Sequence, residues 1–335
     1  MLFRPCNETM KSADGKNRLL GFGAGLVDLI APISEKLFRD IGGTKGDAKE
    51  VSESVMADLL GVLPNSPERI PGGATANTLR AYAGLGGDCA MLSKLGRDSD
   101  GQFLQDNLLE HGVDISRFKY TSKAPTGSCL SLITPDSERT MWTIQGAYGR
   151  IAPDEFSVAD FEGYSHFYIE GFSLYFPKTA LQMMQLAKDA GLCICFDMGS
   201  STIVRQNMAL LEHLLSNYVD IVFANADEYC EFEKHSHGQK LSSICPICVR
   251  KEGAAGAHIF SNESGELHIP AVKTVVRDTT GAGDYWAAGF LYKWLGGGTL
   301  QEAGEAGATL AAAVLEIFGA DLPLQKFCEI RAELK

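Results

Sequence analysis

The chain has 335 residues and a formal net charge of -12, enough length for a large layered core. Hydrophobic residues make up 45% and charged residues 21%, which excludes a chain too polar to collapse. The acidic balance argues against a polynucleotide partner, whose binding draws on Lys and Arg, but a small nucleotide held by backbone amides and a metal ion is compatible with it.

No run of 18 or more apolar residues occurs, and Met1 to Leu20 lacks the apolar stretch of a secretory signal, so the expected location is cytoplasmic with no membrane partner. Leu19 to Leu29 is the first strand candidate. Residues 31–71 are less regular. A helix is expected over Thr75 to Leu85, a strand over Ala90 to Leu95 and a helix over Gly101 to His111. Residues 113–141 are again irregular, with turns at Pro125-Thr126-Gly127 and Thr134-Pro135-Asp136-Ser137 around a strand at Cys129 to Thr134. Strands then follow at His166 to Ile169, Leu192 to Asp197, Ile221 to Ala224, Ile247 to Arg250 and His258 to Phe260, with helices at Lys178 to Ala190 and Ala209 to Asn217 between them. A last helix runs from the capping box of Thr299 and Glu302 to Phe318, stopping at Gly319. This alternation predicts an α/β fold with a mostly parallel sheet and crossover helices. The two irregular segments would form a small β-element beside it. With no linker in view, a single domain over 1–335 is expected.

Nine cysteines are scattered without a framework and read as reduced thiols. Cys245-Pro-Ile-Cys248 has redox or metal spacing, but it lies in an apolar stretch expected to be a buried strand, and no second pair completes a zinc site.

The chemistry concentrates in Arg277-Asp278-Thr279-Thr280-Gly281-Ala282-Gly283-Asp284 and the residues after it. Apolar side chains at Trp286, Ala287, Phe290, Leu291, Trp294 and Leu295 recur at helical spacing until Gly296-Gly297-Gly298. Gly281-Ala282-Gly283 therefore opens a helix, and small residues there leave amides bare at the positive end of the helix dipole, a geometry suited to phosphoryl oxygens. Asp284 is placed to take a proton from an attacking hydroxyl.

Asp278 to Asp284 resembles the C-terminal signature of the ribokinase/PfkB carbohydrate kinase family. Pro71-Gly72-Gly73-Ala74-Thr75-Ala76-Asn77-Thr78, leading through Gly86 to Leu95-Gly96-Arg97-Asp98-Ser99-Asp100-Gly101, is similar to its N-terminal signature. Weaker matches lie at Tyr168 to Gly171, Asn225 to Glu228 and Val249 to Gly256, so that the resemblance covers roughly residues 18 to 330. It implies a three-layer α/β/α ribokinase-like fold with a β-lid formed from residues 31–71 and 113–141. Trp286 stands where the family usually has Phe, and Arg97 replaces a common acid, leaving Asp98 and Asp100 without an assigned role.

The resemblance also implies roles. Asp28, Gly72, Gly73 and Asn77 would hold the acceptor, with Glu170 on the substrate side. Asn225 and Glu228 would position Mg²⁺ through water. ATP would lie over Asn225, the loop from Lys251 through Gly253 to Gly256, and Thr279. Some members bind a monovalent cation, K⁺, at positions that match Asp278 and Thr280. The implied mechanism is in-line transfer of the γ-phosphoryl group of Mg·ATP to a primary hydroxyl. Asp284 would act as base, and the amides of Gly281, Ala282 and Gly283 would form the anion hole.

Two acceptors stay open: the hydroxymethyl group of a small sugar is the expected one, and the ribose 5'-hydroxyl of a nucleoside is the alternative. Glu138-Arg139-Thr140-Met141 and Leu37 to Leu60 look like the adenosine kinase-related branch, whose bacterial members are often sugar kinases. A dinucleotide fingerprint at Gly21-Phe-Gly23-Ala-Gly25 fails because Leu26 stands where its third glycine belongs. No GxxxxGK[ST] run occurs, which excludes a P-loop kinase. A non-catalytic binding protein on a kinase fold is the remaining competitor. Monomer and homodimer are both compatible with the sequence.

Overall fold

The computed structural model describes residues 17–45, 48–136 and 138–334. Most of the leading segment read for a secretory signal, and Ser137 of the predicted turn, lie outside the described residues. β1 (Leu19–Phe22) opens the main sheet. The chain then leaves it for β2 (Leu26–Pro32), α1 (Glu35–Ile41), β3 (Ala48–Glu50), α2 (Glu53–Gly61) and β4 (Glu68–Gly72), and returns through α3 (Ala74–Gly84) to β5 (Cys89–Leu92). A short pair, β6 (Lys94–Gly96) and β7 (Lys119–Thr121), flanks α4 (Ser99–Glu110), and β8 (Gly127–Ile133) and β9 (Arg139–Ile144) go back to the smaller sheet. Alternation begins at β10 (His166–Glu170), followed by α5 (Pro177–Asp189), β11 (Cys193–Asp197), α6 (Ser201–Gln206), α7 (Met208–Asn217), β12 (Ile221–Asn225), α8 (Ala226–His235) and β13 (Ile247–Lys251). The hairpin β14 (Ala257–Ser261) and β15 (Gly265–Ile269) precedes α9 (Ala282–Leu295), α10 (Leu300–Val314) and α11 (Leu324–Glu333).

The main sheet has the order β15-β14-β13-β12-β11-β10-β1-β5. It is parallel from β5 through β13, and the two added strands are antiparallel. Parallel strands covered on both faces must be apolar on both. Tyr168 accordingly packs with α3 and α9, while its neighbours Phe167 and Ile169 pack with residues of α5 to α8 on the other face. Strand order reverses at β1, since β5 lies on one side of it and β10 on the other. In such sheets a ligand crevice opens at the carboxyl ends of the strands beside that switch point.

The smaller sheet has the order β3-β9-β8-β2-β4. Period-two alternation buries Val27, Leu29 and Ala31 of β2 against Phe38, Met56 and Trp142, which leaves Asp28 on the opposite face. This lid is drawn from 26–32, 48–50, 68–72 and 127–144 with the two helices α1 and α2. Residues 113–121 of the second predicted lid segment lie with the main body instead: Val113 and Phe118 join its core, and β7 pairs with β6.

Three expected elements change their limits for physical reasons. Leu19 to Leu29 splits into β1 and β2 because the chain passes from one sheet to the other at Gly23 to Gly25, where a Cβ at Gly23 would come within 2.2 Å of Thr75 Oγ1. Ala90 to Leu95 splits at Ser93, whose hydroxyl donates to the Gly23 carbonyl at 2.8 Å and accepts from the Gly25 amide at 3.2 Å. The final long helix ends at Val314, and the following Leu315 carbonyl accepts from the Arg277 amide at 2.7 Å. Asp98 has a structural job: it caps α4 through Gly101 and binds both the amide and the hydroxyl of Thr126. Cys245 and Cys248 are buried free thiols, both pushed up by burial, and so are poor nucleophiles.

Candidate active site

The carboxyl ends of β10, β11, β12 and β13 deliver Glu170, Asp197, Asn225 and Lys251 to one edge of the sheet. The start of α9 crosses that edge. Gly281 takes a left-handed conformation with φ 75°, and a Cβ there would lie 2.5 Å from the Ala320 side chain, so only glycine fits. First-turn amides have no intrahelical acceptor. Of the three predicted anion-hole amides, that of Ala282 makes a turn bond to the Thr279 carbonyl at 3.3 Å. The cradle therefore falls chiefly to Gly281 and Gly283. Under it, Lys251 Nζ donates to Asp197 Oδ2 at 2.9 Å and approaches the Gly283 carbonyl at 3.5 Å.

Asp284 occupies the first turn of α9, partly open to the crevice. Its Oδ2 accepts from Asn77 Nδ2 at 2.9 Å. Burial pushes its carboxyl up to about 8; the Asn77 bond and Lys251 pull down, while Asp197 and Glu170 push up. Trp286, the larger ring in place of Phe, stacks on Phe290 with centroids 5.6 Å apart and leans over Gly307. The base keeps its place.

Asp28 lies directly against Gly72, where a Cβ would sit 2.6 Å from its Cγ. Burial raises the Asp28 carboxyl to about 6 against the pull of Arg139 and Arg80. Gly73 has φ 95°, and a Cβ there would strike the Ala24 carbonyl at 2.2 Å. Asp28, Gly72, Gly73, Asn77 and Asp284 thus converge.

Glu170 does something else than face a substrate. It is buried, its Oε1 accepts from Ala24 N at 3.0 Å, and its Oε2 accepts from Thr75 N at 2.7 Å and from Thr75 Oγ1 at 2.8 Å. It ties the β1–β2 turn to the start of α3.

Asn225 and Glu228 form a reciprocal capping box on α8, with Glu228 accepting from both the amide and the carboxamide of Asn225 at 2.8 Å. Burial first, then Asp197, raises the Glu228 carboxyl to about 7, with Lys251 opposing. No group of three or more His, Cys, Asp or Glu suited to holding a metal occurs among the described residues. Gly253 (φ 56°) and Gly256 (φ 95°) bracket a short helical turn after β13, and a Cβ at Gly256 would meet the Ile269 carbonyl at 2.1 Å. Thr279 is exposed at the mouth.

Asp278 and Thr280 are occupied differently from the sequence expectation. Arg139 Nη1 donates to Asp278 Oδ1 at 3.1 Å and also bonds Thr280 Oγ1. Asp278 further accepts from the Gly319 and Thr280 amides at 2.9 and 3.0 Å. Burial alone would raise the Asp278 carboxyl, but these donors and Arg139 outweigh it and hold it low. A guanidinium from the lid therefore stands where the sequence suggested K⁺, and Gly319 presents its N–H to Asp278. This donor set does not fit a monovalent cation.

Asp197, Arg139 and Arg80 had no site role in the sequence reading. Asp197 carried one signal, an acid ending the apolar strand Cys193-Ile-Cys-Phe-Asp197 at the carboxyl edge where α/β sites lie.

Among the described residues no helix is long and apolar enough to cross a membrane. The pfkB family carbohydrate kinase model matches residues 41–326. The chain is 29% identical over 248 residues to aminoimidazole riboside kinase of Salmonella typhimurium, covering 70% of this chain and 77% of that protein. Adenosine kinase from Sinorhizobium meliloti superposes with a TM-score of 0.83 at 26% identity, over 96% of this chain and 100% of that one. A probable sugar kinase from Rhizobium etli gives 0.81 at 25%, over 96% and 99%. A match across most of the sequence, on a fold whose crevice gathers both signatures, means that this chain belongs to the pfkB family of carbohydrate kinases and is a phosphotransferase.

Proposed function

We propose that the chain transfers the γ-phosphoryl group of ATP to the hydroxymethyl group of a small sugar, with Asp284 as the base. The observation that carries this is the convergence of Asp28, Gly72, Gly73 and Asn77 on Asp284 beside the glycine-opened start of α9. Asp28 grips vicinal hydroxyls, and the two glycines let a ring approach the backbone. Asp284 accepts the hydroxyl proton as the oxygen attacks in line. The Gly281 and Gly283 amides and the Arg139 guanidinium face the charge that spreads over the transferring group.

Asn225 and Glu228, bonded to each other in the capping box, would contact through water a hard cation that keeps its hydration shell, while Asp197 is already paired with the Lys251 ammonium. Mg²⁺ bound there with the ATP phosphates would offset their charge. The eight described cysteines are all free thiols, which supports a reducing, cytoplasmic setting.

A nucleoside acceptor is the second reading. A cleft of about 490 Å³ opens between the lid and the main body, lined by Glu50, Glu53, Ile144, Gln145, Arg150 and Phe176 among others, none of them a residue of the proposed acceptor site. The likeness to adenosine kinase and aminoimidazole riboside kinase supports the same reading. An ADP-formation screen across pentoses, hexoses and ribonucleosides decides: kcat/KM highest for a free sugar supports the first reading, highest for a nucleoside supports the second. No ADP formation with any alcohol acceptor would overturn both.

A further inference from the structure

Arg80 lies in the middle of α3 with its side chain wholly buried, a costly place for a cation unless it is paired. Nη1 donates to Asn107 Oδ1 at 2.9 Å and to Asp321 Oδ1 at 3.2 Å. Nη2 donates to the carbonyls of Pro71 and Ala320, both at 3.0 Å, and to Asn77 Oδ1. Two of these partners border the site, because Pro71 precedes Gly72 and the Ala320 side chain fills the space against Gly281. The bond to Asn77 matters most. A carboxamide has one accepting end and one donating end. With the guanidinium on its oxygen, Asn77 can present only its NH₂ to Asp284, as the 2.9 Å bond shows. The flipped rotamer would set oxygen against carboxylate and NH₂ against guanidinium.

We propose that Arg80 is a positioning residue for phosphoryl transfer: by fixing the Asn77 carboxamide it keeps a hydrogen-bond donor on Asp284, and by holding the Pro71 and Ala320 carbonyls it sets the acceptor glycines and Gly281 in one frame. The inference rests on the reading of Asp284 as the base. Facing Asp284 are Asp197 of β11, Glu170 and Tyr168 of β10, Lys251 of β13 and its neighbour Tyr285. Of these, Tyr285 also meets Arg80, since both donate to the Ala320 carbonyl at 3.0 Å; that path does not pass through Asn77, so the Asn77 background separates it.

The test follows the acid limb of kcat/KM, and the ¹³C titration of the Asp284 carboxyl in the free enzyme, in wild type, Arg80→Met, Asn77→Leu and the double variant, with thermal melts alongside. Arg80→Met should raise the limb by about one to two pH units and lower kcat by about tenfold. In the Asn77→Leu background the same change should leave the limb in place while still lowering the melting temperature. A limb unmoved by Arg80→Met, or moved equally in both backgrounds, would overturn the proposal, the first meaning a purely structural Arg80 and the second a bare charge effect. If Arg80→Met does not fold, Arg80→Lys carries the test, since one ammonium cannot span the same acceptors; a wild-type limb there also overturns it. Failure of the base assignment shows separately, as wild-type turnover in Asp284→Asn.

Discussion

The crevice of the main sheet and the lid that covers it each place a half-buried carboxylate at the proposed acceptor site, but among neighbours of different charge. On the lid side Asp28 lies under the influence of two guanidiniums, Arg139 and Arg80, and burial lifts it only to about 6. In the crevice burial again lifts Asp284, here to about 8, with the Asn77 bond and the Lys251 ammonium opposing and Asp197 and Glu170 adding to the rise. A carboxylate that nearby guanidiniums hold below neutrality can accept hydroxyl hydrogen bonds without taking a proton, although these two also pair with Asp278 and Asp321. One left short of positive charge is ready to take it. The difference supports the proposed roles of Asp28 as the gripping acid and Asp284 as the base, and the acid-rich crevice is compatible with a hydrated divalent cation brought in with a nucleotide.

The sharpest way to break this contrast is Asp284→Asn. General-base catalysis is worth about 10² to 10⁴ in rate, so kcat should fall by at least that range in an ADP-release assay. In wild type, kcat/KM should decline as pH drops below about 8, because the protonated carboxyl cannot accept. Stability should run the other way. Asp284 binds its proton more tightly folded than unfolded, so its contribution is fully present below its ordinary value of 3.8 and is lost as pH rises through about 8. Melts of the free enzyme should show Asp284→Asn gaining on wild type between about pH 4 and pH 8, the window set by the ordinary and the raised values. Equal pH dependence in both proteins would remove the charge imbalance from the account.

Arg139→Met breaks the lid side. It removes the cation on Asp278 and Thr280, and with it the donor proposed to face the transferring group, for which a loss of about 10² to 10³ in kcat is expected. Because Arg139 lies on β9 and Asp278 beyond β15, the same change loosens the lid from the main body. A change confined to the KM of the acceptor would instead make Arg139 a lid latch without a part in the chemistry.

Glu170→Gln probes the crevice where it is structural. The carboxylate accepts three bonds from Ala24 and Thr75, and an amide nitrogen placed among those donors must forfeit at least one. A loss of about 1 to 3 kcal/mol is expected, seen as a melting temperature lower by about 2 °C or more, with kcat reduced far less than in Asp284→Asn. A kcat loss as large as that of Asp284→Asn at unchanged stability would restore Glu170 to the substrate side.

What the sequence shows of this site is what lies close together along it. Gly281 to Asp284 is legible because a glycine-opened helix start and its first-turn acid are neighbours in the chain. The same holds for the Asn225–Glu228 capping box, whose spacing is that of a single helical turn. Arg139 and Asp197 are not legible as site residues because their partners lie far along the chain; Arg80 is three residues from Asn77, but its meaning depends on the distant Asp284 that Asn77 meets. Arg139 meets Asp278 across 139 positions, and Asn77 meets Asp284 across 207. The split of Leu19 to Leu29 escaped for a related reason: local apolar pattern does not say that Leu20 and Val27 belong to different sheets. Likewise the family resemblance implies K⁺ at Asp278 and Thr280 from a short stretch of sequence, whereas the guanidinium that bonds both comes from the lid.

That last point yields the smallest expected effect. If the Arg139 guanidinium supplies the positive charge beside the anion hole, exchanging K⁺ for tetramethylammonium at constant ionic strength should leave kcat and KM unchanged. The same exchange on Arg139→Met is more telling, since the variant uncovers a carboxylate that two backbone amides hold ionised. Partial rescue of Arg139→Met by K⁺, absent in tetramethylammonium, would show that the lid arginine and a monovalent cation are alternative solutions to one charge at Asp278. Stimulation of the wild type by K⁺ would mean that the arginine leaves that charge unmet, and the contrast between a balanced lid and an acid-rich crevice would have to be redrawn around a bound ion.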